Sequence, residues 1–212
     1  MPTSHLYQLN EILELISRTN PQTMLDIGVG FGKYGVLSRE FLEFWDGRNV
    51  INDWKRRIDG IEAFKEYRNP VYDYVYNNIY FGNALEIIRT LDLKYDLIII
   101  IDVIEHFPFD EGYALIEESI KKTKNLIIST PKDLVPQSDY YGNEFEVHKS
   151  QWKKKHFSKY KEKFFVDNEL SIICYIGEAS GRIRREILKR KLKRKFPFLG
   201  KINKFIKKIF NN

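Results

Sequence analysis

The feature that most constrains the fold of this chain is the alternation of short apolar runs with longer amphipathic stretches. Five runs have the character of strands, namely TMLDI, RRIDGIEAF, NIYFG, YDLIIIID and NLIIST. Between them lie stretches such as YGVLSREFLEFW and DEGYALIEESIKK, whose apolar residues recur at helical spacing. Strands that are apolar along their whole length are typical of a parallel sheet covered by helices on both faces. The pattern therefore predicts an α/β protein with a doubly wound, mostly parallel sheet.

Further segments extend this pattern toward both ends of the sequence. Residues 4–17 carry leucine and isoleucine at helical spacing, so we expect a first helix with Ser4 as its N-cap. Near the other end, KFFVDN and LSIICYIG are separated by a short connection and suit an antiparallel hairpin. The stretch WDGRNVINDWKRR, which precedes the second strand, is expected to be an inserted loop or a longer helix.

The stretch MLDIGVGFGKYG contains two overlapping glycine patterns that imply different ligands. From Gly30 it fits G-x-G-x-x-G, the pattern of dinucleotide-binding folds. From Gly28 it is a strand followed by Gly28, Gly30 and Gly32, with Asp26 at the strand's end, where a carboxylate can meet a cationic ligand group directly or through water. The first interpretation puts Asp26 inside a buried strand that Gly28 interrupts, so the second is favoured.

Four motifs in this order resemble those of the class I S-adenosylmethionine-dependent methyltransferases. LDIGVGFG is similar to their first motif and IDGIEAF to the acid that ends their second strand. FGNALE is similar to the loop after their third strand, and YDLIIIIDVIEHF to their fourth-strand motif. The resemblance, from Thr23 to Gly177, implies a Rossmann-like, doubly wound, mostly parallel seven-stranded sheet with an antiparallel last strand. It also implies S-adenosyl-L-methionine as the cofactor.

The same resemblance implies a set of cofactor-binding residues that follow the carboxyl ends of the strands. Its members are Asp26, Gly28, Gly30, Gly32, Glu62, Asn83, Ala84 and Asp102. The Glu62 carboxylate would accept hydrogen bonds from both ribose hydroxyls. Asn83 stands where the family often has aspartate, and its amide oxygen can still accept from the adenine amine, although without charge. Asp102 is expected to be structural or to face the cofactor rather than to be catalytic.

His106 is one candidate for a catalytic base. Methyl transfer requires an aligned nucleophile, exclusion of water and, where needed, removal of a proton. His106 follows Glu105 just beyond the fourth strand, and the ordinary pKa of histidine, about 6.5, suits proton transfer at neutral pH. The alternative is that Glu105 and His106 cap the next helix or line the methionine pocket. We also assign Glu105 to the substrate-binding residues.

The segment after the fifth strand supplies further candidates. TPKDLVPQSDYYGNEFEVHKSQWKKKHF is rich in aromatic residues, which is more typical of a substrate lid than of a mere connector. Tyr140, Tyr141 and Trp152 are expected to bind substrate, and His148 is the rival of His106 as the base. The alternative is that His148 and Trp152 anchor this segment to the body of the protein.

Metal and thiol chemistry are not indicated by the sequence. Glu146 and His148 could ligate a metal, but no third or fourth ligand has convincing spacing, so we predict no metal. Cys174 is the only cysteine, and its apolar surroundings predict a buried, inert thiol. The longest apolar run, Leu97–Ile101, is far shorter than the roughly 20 residues of a membrane span, and the first residues do not have the order of a signal peptide. We therefore expect a cytoplasmic protein.

The net charge of +6 conceals a division of the chain into an acidic body, 1–181, and a basic tail, 182–212. The tail holds thirteen of the 35 basic residues and one of the 29 acidic ones. Its apolar residues recur at helical spacing, with a break marked by Pro197 and Gly200. This basic amphipathic pattern favours peripheral binding to an anionic membrane surface at its inner face. Nucleic acid is a less favoured partner, and packing on the body or on a second subunit is a third interpretation.

Together these features predict a methyltransferase domain over residues 1–181 that uses S-adenosyl-L-methionine. We expect O-methylation of a small-molecule, glycan or lipid-linked acceptor, because the fourth-strand motif lacks the DPPY or NPPY sequence of enzymes that methylate base nitrogens. The alternatives are a nucleic-acid (RNA) methyltransferase that uses the basic tail, an NAD-dependent oxidoreductase, and a non-catalytic adaptor that binds S-adenosylmethionine.

Overall fold

The computed structural model describes residues 4–133 and 142–196, and these contain a seven-stranded sheet in the order β3-β2-β1-β4-β5-β7-β6. The strands are β1 Thr23–Ile27, β2 Arg57–Glu62, β3 Asn78–Phe81, β4 Leu97–Ile101, β5 Asn125–Pro131, β6 Lys163–Val166 and β7 Ser171–Gly177. β1 to β5 pair in parallel, whereas β7 is antiparallel to both β5 and β6. The doubly wound sheet and the terminal hairpin are thus as predicted.

Six α-helices and several short 3-10 turns connect the strands in the described part of the chain. The helices are α1 Leu9–Thr19, α2 Lys33–Leu42, α3 Pro70–Val75, α4 Ala84–Thr90, α5 Phe109–Lys122 and α6 Ser180–Lys195. Side chains of β4 point alternately to the two faces, so that Ile99 joins the core with α1, α2 and α6 while Ile100 joins the core with α4 and α5. Cys174 is buried in the second core, as predicted, and this burial raises the pKa of its thiol to about 12.

The N-terminal helix begins later than predicted. A 3-10 turn, Leu6–Gln8, precedes α1, and its N-cap is His5, whose Nδ1 accepts a hydrogen bond from the Tyr7 N–H at 3.3 Å. Ser4 is therefore not the helix cap. Its carbonyl oxygen instead accepts from the Lys33 ammonium at 2.6 Å, which fixes the start of the chain over α2.

The stretch before β2 is an inserted loop with two 3-10 turns, Phe44–Asp46 and Ile51–Asp53. Glu43, which is fully buried, organises it by accepting hydrogen bonds from the backbone N–H groups of Lys55 and Arg56 at 3.1 and 2.7 Å. The loop lies at the amino-terminal end of β2, away from the ends where ligands bind in such sheets.

Helix α6 carries the first part of the basic tail, and the predicted boundary between residues 181 and 182 falls inside it. Ile183 and Ile187 are buried in the core beside α1, whereas Leu188 and Leu192 are exposed. The first half of the apolar stripe therefore packs on the body, which is the third of the interpretations above. The remainder of the tail, from residue 197 onward, lies outside the described residues. Within those residues, no helix combines the length and the apolar character that a bilayer crossing requires.

Candidate active site

The glycine turn begins directly after β1, which ends at Ile27. Gly28, Gly30 and Gly32 have φ values of +82°, +54° and +95°, a region that side chains with a Cβ avoid. At Gly28 a Cβ would also lie 2.3 Å from Cγ2 of Val103. The backbone conformation therefore requires the pattern that starts at Gly28.

Gly35, which completes the dinucleotide-binding pattern, is needed for helix packing and not for a turn. Gly35 lies within α2, where a Cβ would come 2.4 Å from the ring of Tyr76. Its lack of a side chain allows α2 to pack closely on the end of α3. Gly35 therefore completes the dinucleotide-binding pattern for a packing reason.

Glu62 lies at the end of β2 and ties this strand to the glycine turn. Its carboxylate accepts hydrogen bonds from the backbone N–H groups of Gly30 at 2.8 Å and Phe64 at 3.0 Å. The side chain is buried, and loss of hydration raises its pKa above the ordinary value. Glu62 is therefore placed beside the glycines, as expected from the sequence.

Asp26 is the penultimate residue of β1, near the end of the strand as predicted, but its carboxylate is buried. It lies inside β1, is only 2 % exposed, and accepts a hydrogen bond from the Tyr76 hydroxyl at 2.7 Å. Desolvation, with a smaller contribution from the negative charge of Glu62, raises the pKa of Asp26 to about 7. Tyr76 and the strand enclose the carboxylate in this structure, and its contact with a ligand, directly or through water, stays a prediction.

Asn83 is the N-cap of α4. Its amide oxygen accepts hydrogen bonds from the N–H groups of Leu85 at 2.8 Å and Glu86 at 3.4 Å. Ala84 follows as the first residue of the helix and is buried. Capping thus uses one part of the accepting capacity of this oxygen, which has two lone pairs, and its role as an acceptor for adenine stays a prediction.

Asp102 follows β4 in a left-handed backbone conformation, with φ of +53°. Its carboxylate accepts hydrogen bonds from the Ser129 hydroxyl at 2.8 Å and from the Gln8 amide at 2.5 Å. Burial raises the pKa of Asp102. A strained, non-glycine residue of this kind is frequent at functional sites, and the contact fits the structural or cofactor-facing role expected of it.

Gln8 is a site residue that the sequence analysis missed. It is fully buried, and its Oε1 atom has no hydrogen-bond partner among residues 4–133 and 142–196. Its position in an N-terminal amphipathic stretch indicated only a helix, since nothing local shows that this helix begins over the end of β4. The 3-10 turn that carries Gln8 thus covers the carboxyl end of the sheet.

The 3-10 turn Ile104–His106 follows Asp102 and binds the segment 147–152. The Glu105 carbonyl oxygen accepts from the N–H groups of Lys149 at 2.7 Å and Ser150 at 3.0 Å. The Ser150 hydroxyl in turn donates to the carbonyl oxygen of Phe107 at 2.7 Å. These bonds hold two segments, distant in sequence, against each other at the end of the sheet.

Trp152 anchors this segment and is not available to a substrate. It is fully buried, and its indole N–H donates to the Ile104 carbonyl oxygen at 3.2 Å and to the Ser150 hydroxyl at 2.9 Å. Its predicted assignment to substrate binding is therefore corrected, and the anchoring alternative is supported. Tyr140 and Tyr141 lie outside the described residues.

The same anchoring brings together the two histidines that were rival candidates for the base. The rings of His106 and His148 have centroids 5.0 Å apart and are tilted by 43°. Nδ1 of His106 lies 3.3 Å from the carbonyl oxygen of Val147. Burial, and then the neighbouring His148, lower the pKa of His106 to about 4. His106 is therefore neutral at pH 7 and a weaker base than its ordinary pKa suggested.

Carboxylates surround these histidines. Glu105 is 1 % exposed, and burial together with the charge of Asp102 raises its pKa well above the ordinary range. Glu146 is also buried and accepts a hydrogen bond from the Tyr67 hydroxyl at 3.1 Å. Because these acids share a desolvated region with Glu62 and Asp102, a cationic ligand would be stabilised there.

Three of these side chains could also hold a metal ion. One ligand atom each from Glu105, His106 and His148 lies within 4.8 Å of the other two. The sequence predicts no metal, because Glu146 and His148 lack a third ligand at suitable spacing. In the structure the side chains near His148 are instead those of Glu105 and His106, which lie on the turn after β4.

Comparison with solved structures identifies the same fold. The methyltransferase domain of bacterial CtHen1 matches with a TM-score of 0.51 and 15% identity, over 81% of this chain and 98% of that domain. An O-methyltransferase family protein from Burkholderia thailandensis matches with a TM-score of 0.56 and 11% identity, over 80% of this chain and 56% of the other. PigF, solved with S-adenosylhomocysteine (SAH), matches with a TM-score of 0.52 and 10% identity, over 76% and 51%.

The chain thus spans about half the length of the last two proteins. No protein-family model and no curated protein matches the sequence significantly. The structural matches and the seven-stranded sheet nevertheless show that the chain has the fold of the class I S-adenosylmethionine-dependent methyltransferases.

Proposed function

We propose that this protein is an S-adenosylmethionine-dependent methyltransferase that methylates an oxygen atom of a small-molecule, glycan or lipid-linked acceptor. The observation that carries this proposal is the group of buried carboxylates at the carboxyl end of the sheet. Glu62, Asp102 and Glu105 all have raised pKa values because burial disfavours their charged forms. A ligand with a sulfonium and an ammonium group would offset this cost.

The residues around the glycine turn fit such a ligand. Gly28, Gly30 and Gly32 allow its closest approach to the backbone, and Glu62 is placed to accept from ribose hydroxyls. Gln8 offers a buried amide oxygen without a partner in the described part of the chain, which suits an ammonium group near Asp102. SAH occupies the solved structure of PigF. When bound, S-adenosylmethionine would supply an electrophilic methyl group.

The protein's own contribution to the reaction is orientation and exclusion of water. The anchored segment 147–152 holds His148 beside His106, which lies on the turn that follows Asp102. Because its pKa is about 4, the neutral His106 ring can accept a hydrogen bond from the hydroxyl group that is to be methylated, but it is a weak base for removing the proton of that group. His148 and His106 are therefore proposed to contact the acceptor oxygen.

The test of this function is thermal stabilisation by S-adenosylmethionine and SAH, with NAD alongside. A ligand at a hundredfold excess over its Kd adds about 2.7 kcal/mol to the free energy of unfolding. We expect both adenosyl ligands to raise the melting temperature and Glu62→Gln to abolish the rise. Glu66→Gln, which changes an exposed residue nearby, is the control.

A shift with NAD alone would instead support the oxidoreductase alternative. Binding of the adenosyl ligands without methyl transfer to any oxygen acceptor would support the adaptor alternative.

The basic tail supports a membrane-associated acceptor. Lys191, in the last turns of α6, forms an ion pair with Asp167 at 3.2 Å, and Asp167 directly follows β6 at the carboxyl edge of the sheet. Residues 189–195 contain six basic residues and no acid, and each cation near an anionic bilayer contributes about 1 kcal/mol. With Leu188 and Leu192 exposed, α6 presents both charge and apolar surface on the side of the candidate site.

Vesicle binding tests this part of the proposal. The full chain should cosediment with phosphatidylglycerol-containing vesicles and not with pure phosphatidylcholine vesicles. Leu188→Ser combined with Leu192→Ser should weaken cosedimentation, whereas Leu93→Ser, at an exposed position elsewhere, should not. Binding to an RNA oligonucleotide without binding to vesicles would favour the nucleic-acid alternative.

A further inference from the structure

Two segments converge to place three ligating side chains together. Glu105 and His106 lie on the turn Ile104–His106, and His148 lies on the segment 147–152. The hydrogen bonds from the Lys149 and Ser150 N–H groups to the Glu105 carbonyl oxygen fix this arrangement in the backbone. One ligand atom from each of the three side chains lies within 4.8 Å of the others.

Glu105 provides an independent indication of a ligand. Its side chain is 1 % exposed, yet its Oε2 atom has no hydrogen-bond partner in the described ranges. A buried carboxylate oxygen without a partner is costly to the folded state. A cation at this place would supply the missing interaction and reduce the repulsion between Glu105 and Asp102.

The orientation of His106 suits a metal ligand. The Val147 carbonyl oxygen, 3.3 Å from Nδ1, can only accept a hydrogen bond, so Nδ1 carries the proton. The lone pair then resides on Nε2. A backbone carbonyl that receives one ring N–H while the other nitrogen binds the metal is the usual second partner of a metal-bound histidine.

We propose that Glu105, His106 and His148 bind one divalent first-row transition-metal ion, in addition to the ligand assigned above. Two imidazoles and one carboxylate suit Zn²⁺, Co²⁺, Fe²⁺ or Mn²⁺ and leave coordination positions open. Ligand atoms around one such ion lie about 3.4 Å apart, so the side chains must close by about 1.5 Å at most.

The catalytic part of this inference rests on the proposed function, because it requires that an open coordination position of the metal faces the methyl acceptor. The ion would lower the pKa of an acceptor hydroxyl bound there, and the hydroxyl proton would leave to bulk water before water is excluded from the site. A lone pair of the acceptor oxygen then forms the C–O bond as the bond between methyl carbon and sulfur breaks, which leaves SAH. In the metal-bound protein the two imidazoles would hold the acceptor oxygen through the ion instead of contacting it directly, so removal of the hydroxyl proton would not require His106 or His148 to act as the base.

The experiment is a titration of the tag-free, chelator-treated full chain with Co²⁺, followed by its visible d–d absorption. We expect one Co²⁺ per chain and displacement by Zn²⁺. His148→Ala and Glu105→Gln should each weaken binding by at least about 100-fold, because loss of a ligand exceeds the 10–100-fold cost of losing its supporting partner. His5→Ala removes an exposed histidine and should leave the titration unchanged.

Circular dichroism and the melting temperature verify that both variants are folded, and Glu105→Gln preserves shape where His148→Ala removes a ring. Absence of stoichiometric Co²⁺ binding, or binding unaffected by both variants, would overturn the proposal. Full methyl transfer by chelator-treated protein would overturn the metal's part in catalysis while the proposed function stands. Metal binding without stabilisation by SAH would overturn that function and leave the metal site standing.

Discussion

The buried carboxylate of Asp26 gives a prediction whose size follows from the structure. Its pKa is about 7 in the folded protein and 3.8 in the unfolded chain. Because the folded pKa is raised, stability is fully present below pH 3.8 and is lost as the pH rises toward 7. The loss between pH 4 and pH 7 amounts to about 3 kcal/mol, at about 1.4 kcal/mol for each pKa unit.

Asp26→Asn should remove this dependence, because the amide oxygen can still accept from the Tyr76 hydroxyl and carries no charge. The assay is urea unfolding of both proteins at several pH values between 4 and 8. The free energy of unfolding of the variant, relative to the wild type, should grow by about 3 kcal/mol across this window. Asp53→Asn, at an exposed aspartate, should give a constant difference.

A constant difference for Asp26→Asn as well would refute this reasoning. It would mean that the Asp26 carboxylate ionises freely in the folded protein. Water or a cation would then reach it in spite of Tyr76, and the ligand contact first expected from the sequence would be supported.

Three other substitutions test the site and its supports. Gly28→Ala should abolish stabilisation by SAH. The new Cβ would clash with Val103, and the positive φ would add a backbone cost of about 1–3 kcal/mol. Gly47→Ala has the same φ of +82° and nothing within 4 Å, so in a melting curve it should show the backbone cost alone. Trp152→Leu should destabilise the fold by about 3 kcal/mol in urea unfolding, whereas Trp45→Leu, at a position 76 % exposed, should cost less than about 0.5 kcal/mol. Gln8→Leu removes a donor to the buried carboxylate at the end of β4, and calorimetry should show weaker SAH binding with little change in Zn²⁺ binding.

The sheet was predictable from the sequence because its signals are local. Each central strand is a continuous apolar run, and Gly28, Gly30 and Gly32 mark the turn after β1 through backbone conformations that glycine adopts most readily. The closing hairpin followed from two apolar segments joined by a short connection. These features depend on residues that are close together in the sequence, so they can be predicted from the local pattern of amino acids.

The parts of the site that were not predicted depend on contacts between distant residues. Trp152 was expected to bind substrate because its segment is rich in aromatic residues, but its indole is buried and donates to the carbonyl oxygen of Ile104. The proximity of His148 to Glu105 likewise results from pairing across more than 40 residues. Residue spacing in the sequence does not predict this contact, because it depends on how α5 and β5, which lie between the two segments, pack in the fold.

The contact between Gln8 and Asp102 has a consequence for the timing of turnover. The 3-10 turn Leu6–Gln8 contacts the end of β4 through this bond. If a ligand at the end of β4 is exchanged past the turn, opening must break the Gln8–Asp102 bond and release the Ser4 carbonyl oxygen from Lys33. In enzymes with such closing segments, opening commonly limits the rate. Release of this turn, rather than the chemical step, would then set how quickly spent ligand leaves.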